Sequence, residues 1–273
     1  MKLSVFKKAI WKYYQTHGRI LPWRKTHDPY KILVSEIMLQ QTQVDHVIPK
    51  YSLFVKKFNS FKVLANAKTS DVIKAWQGLG YNRRALNLQR AAREIVQKHN
   101  SKLPSSYSEL VSLPGIGPYT AGALLAFAYN KPVVCIETNI RSVFLTHFAD
   151  LRRLKRKSTR MIHDKELLPL IEKTLDHKNP REWYWALMDY GSHLKKTLPN
   201  PSRKSTHHTK QKPFNNSNRQ LRGNILKLVS QKNVSEKTLF TRIQRKPIEI
   251  RRVLKTLKKE GFIKRQGKNI SLV

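Results

Sequence analysis

Glu36 sits in residues 32–39, a stretch otherwise apolar apart from Ser35. Burial, where no cationic partner offsets it, raises a carboxylate's pKa and would suit it to donate a proton near neutral pH. A second string with chemical potential is LPGIGPYTA at residues 113–121, where Gly115 and Gly117 stand one residue apart between two predicted helices. Glycines in that arrangement allow a tight hairpin whose unpaired amides, at the start of the next helix, face outward. The helix N-terminus adds partial positive charge, so a phosphate can be held close against bare backbone.

The elements that must position these residues are helices. Apolar residues recur at three- and four-residue intervals to about Gly191, with breaks at Pro and Gly. Asp28 followed by Pro29 predicts a helix start with Asp as N-cap. Leu33, Ile37, Val44 and Val47 are then expected to form one buried stripe. Further helices are predicted over residues 70–77, 82–99, 107–112, 119–128, 138–148, 164–175 and 180–193. With no sustained period-2 run, this part is expected to be all-α. Between residues 197 and 217, Pro, Ser, Lys, Asn and His replace the periodicity, which predicts an exposed, flexible basic linker. His207 and His208 there read as solvated rather than metal-binding.

Residues 218–273 predict three helices, over 219–230, after a Ser235 cap and over 247–260. A β-hairpin at 262–265 and 269–272 follows, turning at Gly267. Three helices and a hairpin resemble a winged helix. Its third helix carries Arg251, Arg252, Lys255, Lys258 and Lys259, and the wing adds Lys264, Arg265 and Lys268. The domain reading is therefore 1–196, a 197–217 linker and 218–273.

Charge narrows the class of partner. The chain has 54 Lys and Arg against 17 Asp and Glu, a formal net charge of +37 over 273 residues. An excess spread through most of the sequence calls for a polyanion, bound through phosphate neutralisation and counterion release. Cys135 is the one cysteine. A disulfide framework and a thiolate-held zinc or iron–sulfur site are thereby excluded within the chain. No cofactor and no metal are expected. No stretch approaches the roughly 20 apolar residues of a membrane span, and the N-terminus lacks the pattern of an exported protein. The expectation is a cytoplasmic, nucleoid-associated monomer.

The whole string LPGIGPYTA, flanked by helices, resembles the hairpin of the endonuclease III superfamily of helix-hairpin-helix DNA glycosylases. The resemblance runs over residues 1–195 through LPWR at 21–24, PY at 29–30, SEIMLQQTQV at 35–44, GLGY at 78–81 and ETN at 137–139. SEIMLQQTQV is similar specifically to the MutY-type adenine glycosylases. The resemblance implies a helix-hairpin-helix glycosylase fold and monofunctional excision of adenine opposite 8-oxoguanine or G in double-stranded DNA, leaving an abasic site.

On that resemblance Glu36 is the catalytic glutamate, protonating an adenine ring nitrogen and then activating water. Gln41 is the residue that wedges into the duplex, with Gln40, Thr42 and Tyr81 on the same approach. Glu137 occupies a position held in the family by an aspartate that stabilises the oxocarbenium-like sugar. The competing structural role there is helix N-capping by Thr138 or Asn139, and Asn139 belongs to the same catalytic string. Tyr119 replaces the Schiff-base lysine of lyase-active relatives. After Gly191, where relatives begin a four-cysteine cluster loop, this chain has Lys195 and Lys196, expected to contact phosphates instead. The C-terminal domain that reads 8-oxoguanine is replaced by the basic module. Two other readings are excision of thymine or uracil opposite G, and a DNA-binding protein that has lost catalysis.

Overall fold

The computed structural model describes residues 2–153, 161–210 and 213–273. Its helices run α1 (Leu3–His17), α2 (Pro29–Leu39), α3 (Val44–Lys57), α4 (Phe61–Asn66), α5 (Thr69–Ala75), α6 (Arg83–Lys98) and α7 (Tyr107–Ser112). They continue as α8 (Pro118–Tyr129), α9 (Thr138–Arg153), α10 (Asp164–Thr174), α11 (Pro180–Thr197), α12 (Asn218–Gln231), α13 (Glu236–Arg242) and α14 (Pro247–Lys259). Strands β1 (Val234–Ser235), β2 (Ile263–Gln266) and β3 (Asn269–Leu272) make one antiparallel sheet in the order β1-β3-β2. Among the described residues, no helix is long and apolar enough to cross a membrane.

The chain forms two compact units. The first contains α1, the opening turn of α2, and α7 to α11. At its centre lies α8, whose residues from Thr120 to Ala128 are all buried, as expected of a helix apolar on every side. It stops at Asn130, which takes the left-handed conformation at φ 51°. Helices α9 and α11 pack on one another and α1 packs on α11, around Phe6, whose ring lies 5.3 Å from Phe144 and 5.1 Å from Phe148. Asp28 caps α2 as predicted, its Oδ1 accepting from the Tyr30 amide at 2.9 Å.

The second unit holds the rest of α2, α3 to α6, the start of the hairpin and everything from α12 onward. Helix α6 is strongly amphipathic and buries Leu88, Ala91, Ala92 and Ile95. Gln89, buried on the same helix, donates to the carbonyls of Leu64 and Ala67, tying α4 to α6. The C-terminal helices and sheet form a winged helix. Their core of Leu221, Ile225, Leu254 and Phe262 is continuous with Ile73 of α5 and Leu86 of α6. Arg83 of α6 and Arg222 of α12 both bind Glu260 at 2.5 Å.

Three expectations change. The stripe of Leu33, Ile37, Val44 and Val47 is broken, because the chain leaves α2 at Leu39 and Gln41 turns left-handed at φ 54° before α3 begins at Val44. Within residues 197–217, Pro201–Lys204 forms a 3-10 turn and Pro201, Ser202 and Ser205 are buried. That turn is held by a bridge from Ser205 to Ile162, while Gln211 and Lys212 lie outside the described residues. The wing gains a third strand, β1, too short to show any alternation of its own.

Candidate active site

In the second unit the site is built on α2. Every residue from Ile32 to Met38 is buried, including Glu36 at 8% exposure. The helix ends in a turn that places Gln40 half-buried and Gln41 exposed. Gln40 Nε2 reaches the Gly115 carbonyl at 3.4 Å, so the structure brings the end of α2 to the start of the hairpin. Gly115 is required there: its φ is 83°, and a Cβ would stand 2.8 Å from Asn87 Cβ. In the first unit, Gly117 is the N-cap of α8, and a Cβ there would meet nothing within 4 Å.

What holds α2 to the GLGY turn is Arg84, which sequence reading missed. It is 9% exposed. Its Nη1 donates to the carbonyls of Ile37, Met38 and Gln40 at 2.9, 2.7 and 2.6 Å. Its Nη2 donates to Thr42 Oγ1 and to the carbonyls of Leu79 and Gly80 at 3.0, 3.2 and 3.0 Å. Burial lowers its pKa to about 10, with Tyr81 pulling the other way, and the guanidinium lies 5.4 Å from the Trp76 ring and 5.6 Å from that of Tyr81. Arg84 thus satisfies the last carbonyls of the Glu36 helix while fixing the turn that carries Tyr81. Among 54 basic residues, no local pattern singled it out. Replacing it by Met keeps the stem and removes the donors. We expect Arg84→Met to cost roughly 2–3 kcal/mol, since buried acceptors lose charged partners, read as a lowered denaturation midpoint. An unchanged midpoint would remove Arg84 from this role.

In the first unit Glu137 caps α9. Its Oε1 accepts from the amides of Asn139 and Ile140 at 2.7 and 2.9 Å, and its Oε2 from Asn139 Nδ2 at 3.2 Å. The capping role weighed for Thr138 or Asn139 therefore falls to Glu137 itself, whose carboxylate accepts from the second and third amides of the helix. A carboxylate offers about four acceptor positions, so these donors fix it without exhausting it. Asn139 Oδ1 is buried without a hydrogen-bond partner. Half-buried Tyr119 sits in the first turn of α8.

Helix α11 supports this end of α9. Gly191 lies so close to the Asn139 carbonyl that any Cβ would collide with it. One turn on, Lys195 is half-buried, and its pKa is lowered by desolvation, with Glu137 opposing and Arg19 reinforcing the shift. Its partial burial brings it within the influence of the Glu137 charge. Lys196 is exposed. Two residues before Gly191, the same helix buries Asp189 at 3% exposure. Arg24 grips it with both Nη atoms at 2.8 Å, and Arg19 donates its Nε at 2.6 Å and its amide at 2.8 Å. Asp189 was readable in principle, being a lone acid in an apolar stretch. A four-thiolate cluster does not fit this chain, because Cys135 is its one cysteine and is buried, with its amide donating to Tyr184 Oη.

The basic face of the winged helix is partly spent internally. Arg251 pairs with Glu236 at 3.4 Å and lies 5.2 Å from the Phe240 ring, and Arg265 meets the same glutamate at 2.7 Å. Arg252, Lys255, Lys258 and Lys259 are exposed along α14.

Known proteins carry the same frame. The adenine DNA glycosylase of Buchnera aphidicola subsp. Baizongia pistaciae is 36% identical over 70% of this chain and 53% of its own length. That of Mycobacterium tuberculosis is 43% identical over 48% of this chain and 43% of its own. The chain thus spans about half the length of these curated relatives. A thermostable thymine-DNA glycosylase superposes with a TM-score of 0.64 at 27% identity, covering 75% of this chain and 92% of that one. An endonuclease III bound to DNA shares the fold, with a TM-score of 0.58 at 16% identity over 72% of this chain and 89% of that one. Residues 34–170, which contain Glu36, the GLGY turn, the hairpin and Glu137, match the family described as HhH-GPD superfamily base excision DNA repair protein, and on that match the chain belongs to the HhH-GPD superfamily.

Proposed function

We propose that the protein is a monofunctional adenine DNA glycosylase. It would act as a monomer on double-stranded DNA, removing adenine mispaired with 8-oxoguanine or G. The observation that carries this reading is Glu36, a carboxyl group buried on a helix whose continuation presents Gln40 and Gln41 beside the hairpin. The curated relatives named adenine DNA glycosylase support the choice of base. In this reading Glu36 protonates a ring nitrogen of the extruded adenine, and the glycosidic bond breaks with its electron pair leaving on the base. Glu137, fixed by the α9 amides, stabilises the positive sugar, and ionised Glu36 then takes a proton from the water that adds to it. Residues 1–196 carry the chemistry without metal or cluster, and residues 218–273, across the 197–217 connection, add DNA contacts.

Duplexes carrying A, T or U opposite G or 8-oxoguanine, treated with alkali after incubation, test the base and its partner together. Adenine release is expected, and release of thymine alone would replace this reading. Thymine opposite G is the second reading, supported by the thymine-DNA glycosylase superposition. We further expect strand scission only after alkali or heat, and no covalent adduct on borohydride treatment, because Tyr119 cannot form an imine. A strong trapped band would contradict monofunctional cleavage, and its loss in Lys195→Gln would assign the amine.

A further inference from the structure

Tyr81 ends the GLGY turn in a conformation few side chains adopt. Its φ is 44°, following Gly78 at 92° and Gly80 at 68°. A non-glycine residue stays there only where its surroundings over-determine it. One restraint is Arg84, already bonded to the Tyr81 carbonyl at 3.3 Å through Nε. The other comes from the C-terminal module. Arg219, in the first turn of α12, donates from Nη1 to Tyr81 Oη at 2.7 Å, with its guanidinium 5.5 Å from the ring centroid. Nor is Arg219 on a free arm, since Leu221 and Ile225 of the same helix share a core with Ile73 and Leu86, and Arg222 shares Glu260 with Arg83.

These contacts make a continuous mechanical path. Arg84 links the carbonyls directly after Glu36 to the turn, the turn carries Tyr81, and Arg219 anchors the phenol from the winged helix. A half-exposed aromatic ring, held at its backbone by buried Arg84 and at its hydroxyl by Arg219, is suited to stack on a nucleobase.

We propose that Arg219 is a positioning residue for mismatch discrimination: it fixes the Tyr81 ring for stacking on a base of the strand opposite the excised one. Through this contact the winged helix contributes selectivity as well as charge. The inference rests on the glycosylase reading above.

The test uses full-length wild type, Arg219→Met, Arg219→Lys, Tyr81→Phe and the Arg219→Met/Tyr81→Phe double variant. Affinities are measured for an A:G duplex and its A:T counterpart, with 2-aminopurine in the strand opposite the target reporting unstacking, and thermal midpoints are recorded alongside. Arg219→Met is expected to lower the A:G to A:T affinity ratio about tenfold, the scale of one weakened base–aromatic stack, and to reduce the fluorescence rise. Tyr81→Phe keeps the ring and loses the acceptor, so it should fall by a similar factor, with the double variant no worse than either single. Arg219→Lys, which retains a donor, should recover part of the ratio. Equal loss of affinity for both duplexes, with the ratio intact, would show Arg219 to be a phosphate contact or a strut. Additive single effects would also overturn the proposal. Wild type that neither discriminates nor releases any base sinks the glycosylase reading as well, whereas discrimination unaffected by Arg219→Met sinks this inference alone.

Discussion

Glu36→Gln is expected to bind a mismatched duplex with near wild-type affinity while releasing base at least about a hundredfold more slowly, the lower end of what a positioned acid–base group supplies. The substitution keeps the shape of the side chain and its place among buried Ile32, Leu33, Val34, Ile37 and Met38. What it removes, in the proposed mechanism, is the proton donor for the leaving base and the acceptor for the attacking water. Because these act only as the bond breaks, the loss belongs in the single-turnover rate and not in binding. Turnover within a few-fold of wild type would take Glu36 out of the mechanism. Equal loss of binding and turnover would make it a structural residue.

Asp189→Asn is expected to cost about 3–5 kcal/mol, the range for breaking a buried, hydrogen-bonded ion pair from one side. Arg24, with 7% of its side chain exposed, would be left facing a neutral amide. The pH dependence gives an independent check. Burial pushes the Asp189 carboxyl up, but hydrogen bonds and charge from Arg24, followed by Arg19, hold it below the ordinary carboxylate range. A folded pKa below the unfolded one contributes stability that is complete above the unfolded value, about 3.9. It is lost as pH falls through the folded value. The gap between wild type and Asp189→Asn should therefore be constant above about pH 5 and narrow on acidification below about pH 4. Denaturant midpoints from pH 3 to pH 7 measure it. A gap that stays constant to the lowest pH would mean the arginines are not what the carboxylate provides for.

The two acids differ in how far the sequence announces them. Glu36 stands out because its neighbours on the same helix are apolar, a pattern visible in one stretch of chain. The hairpin glycines are equally local: Gly115 occupies a left-handed position hard against Asn87. The Asp28 cap and the helices of the winged module follow from caps and periods of the same kind, which is why they fall within a few residues of expectation. The lone cysteine is likewise read by counting alone, and one thiolate within this sequence is too few for a four-cysteine set.

Tertiary structure alone decided the rest. Arg24 meets Asp189 across 165 positions and Arg219 meets Tyr81 across 138, and no helical or strand period extends that far. Arg84 looks like any surface arginine until the ends of α2 and the GLGY turn converge on it. Glu137 took the cap weighed for its neighbours because its carboxylate turns onto the α9 amides, a matter of rotamer that no spacing encodes. The C-terminal module resembled a separate basic domain because its charge dominates its composition. Its core nevertheless runs on into Ile73 and Leu86, because apolar side chains left uncovered by α5 and α6 gain more from burial against α12 than from contact with water.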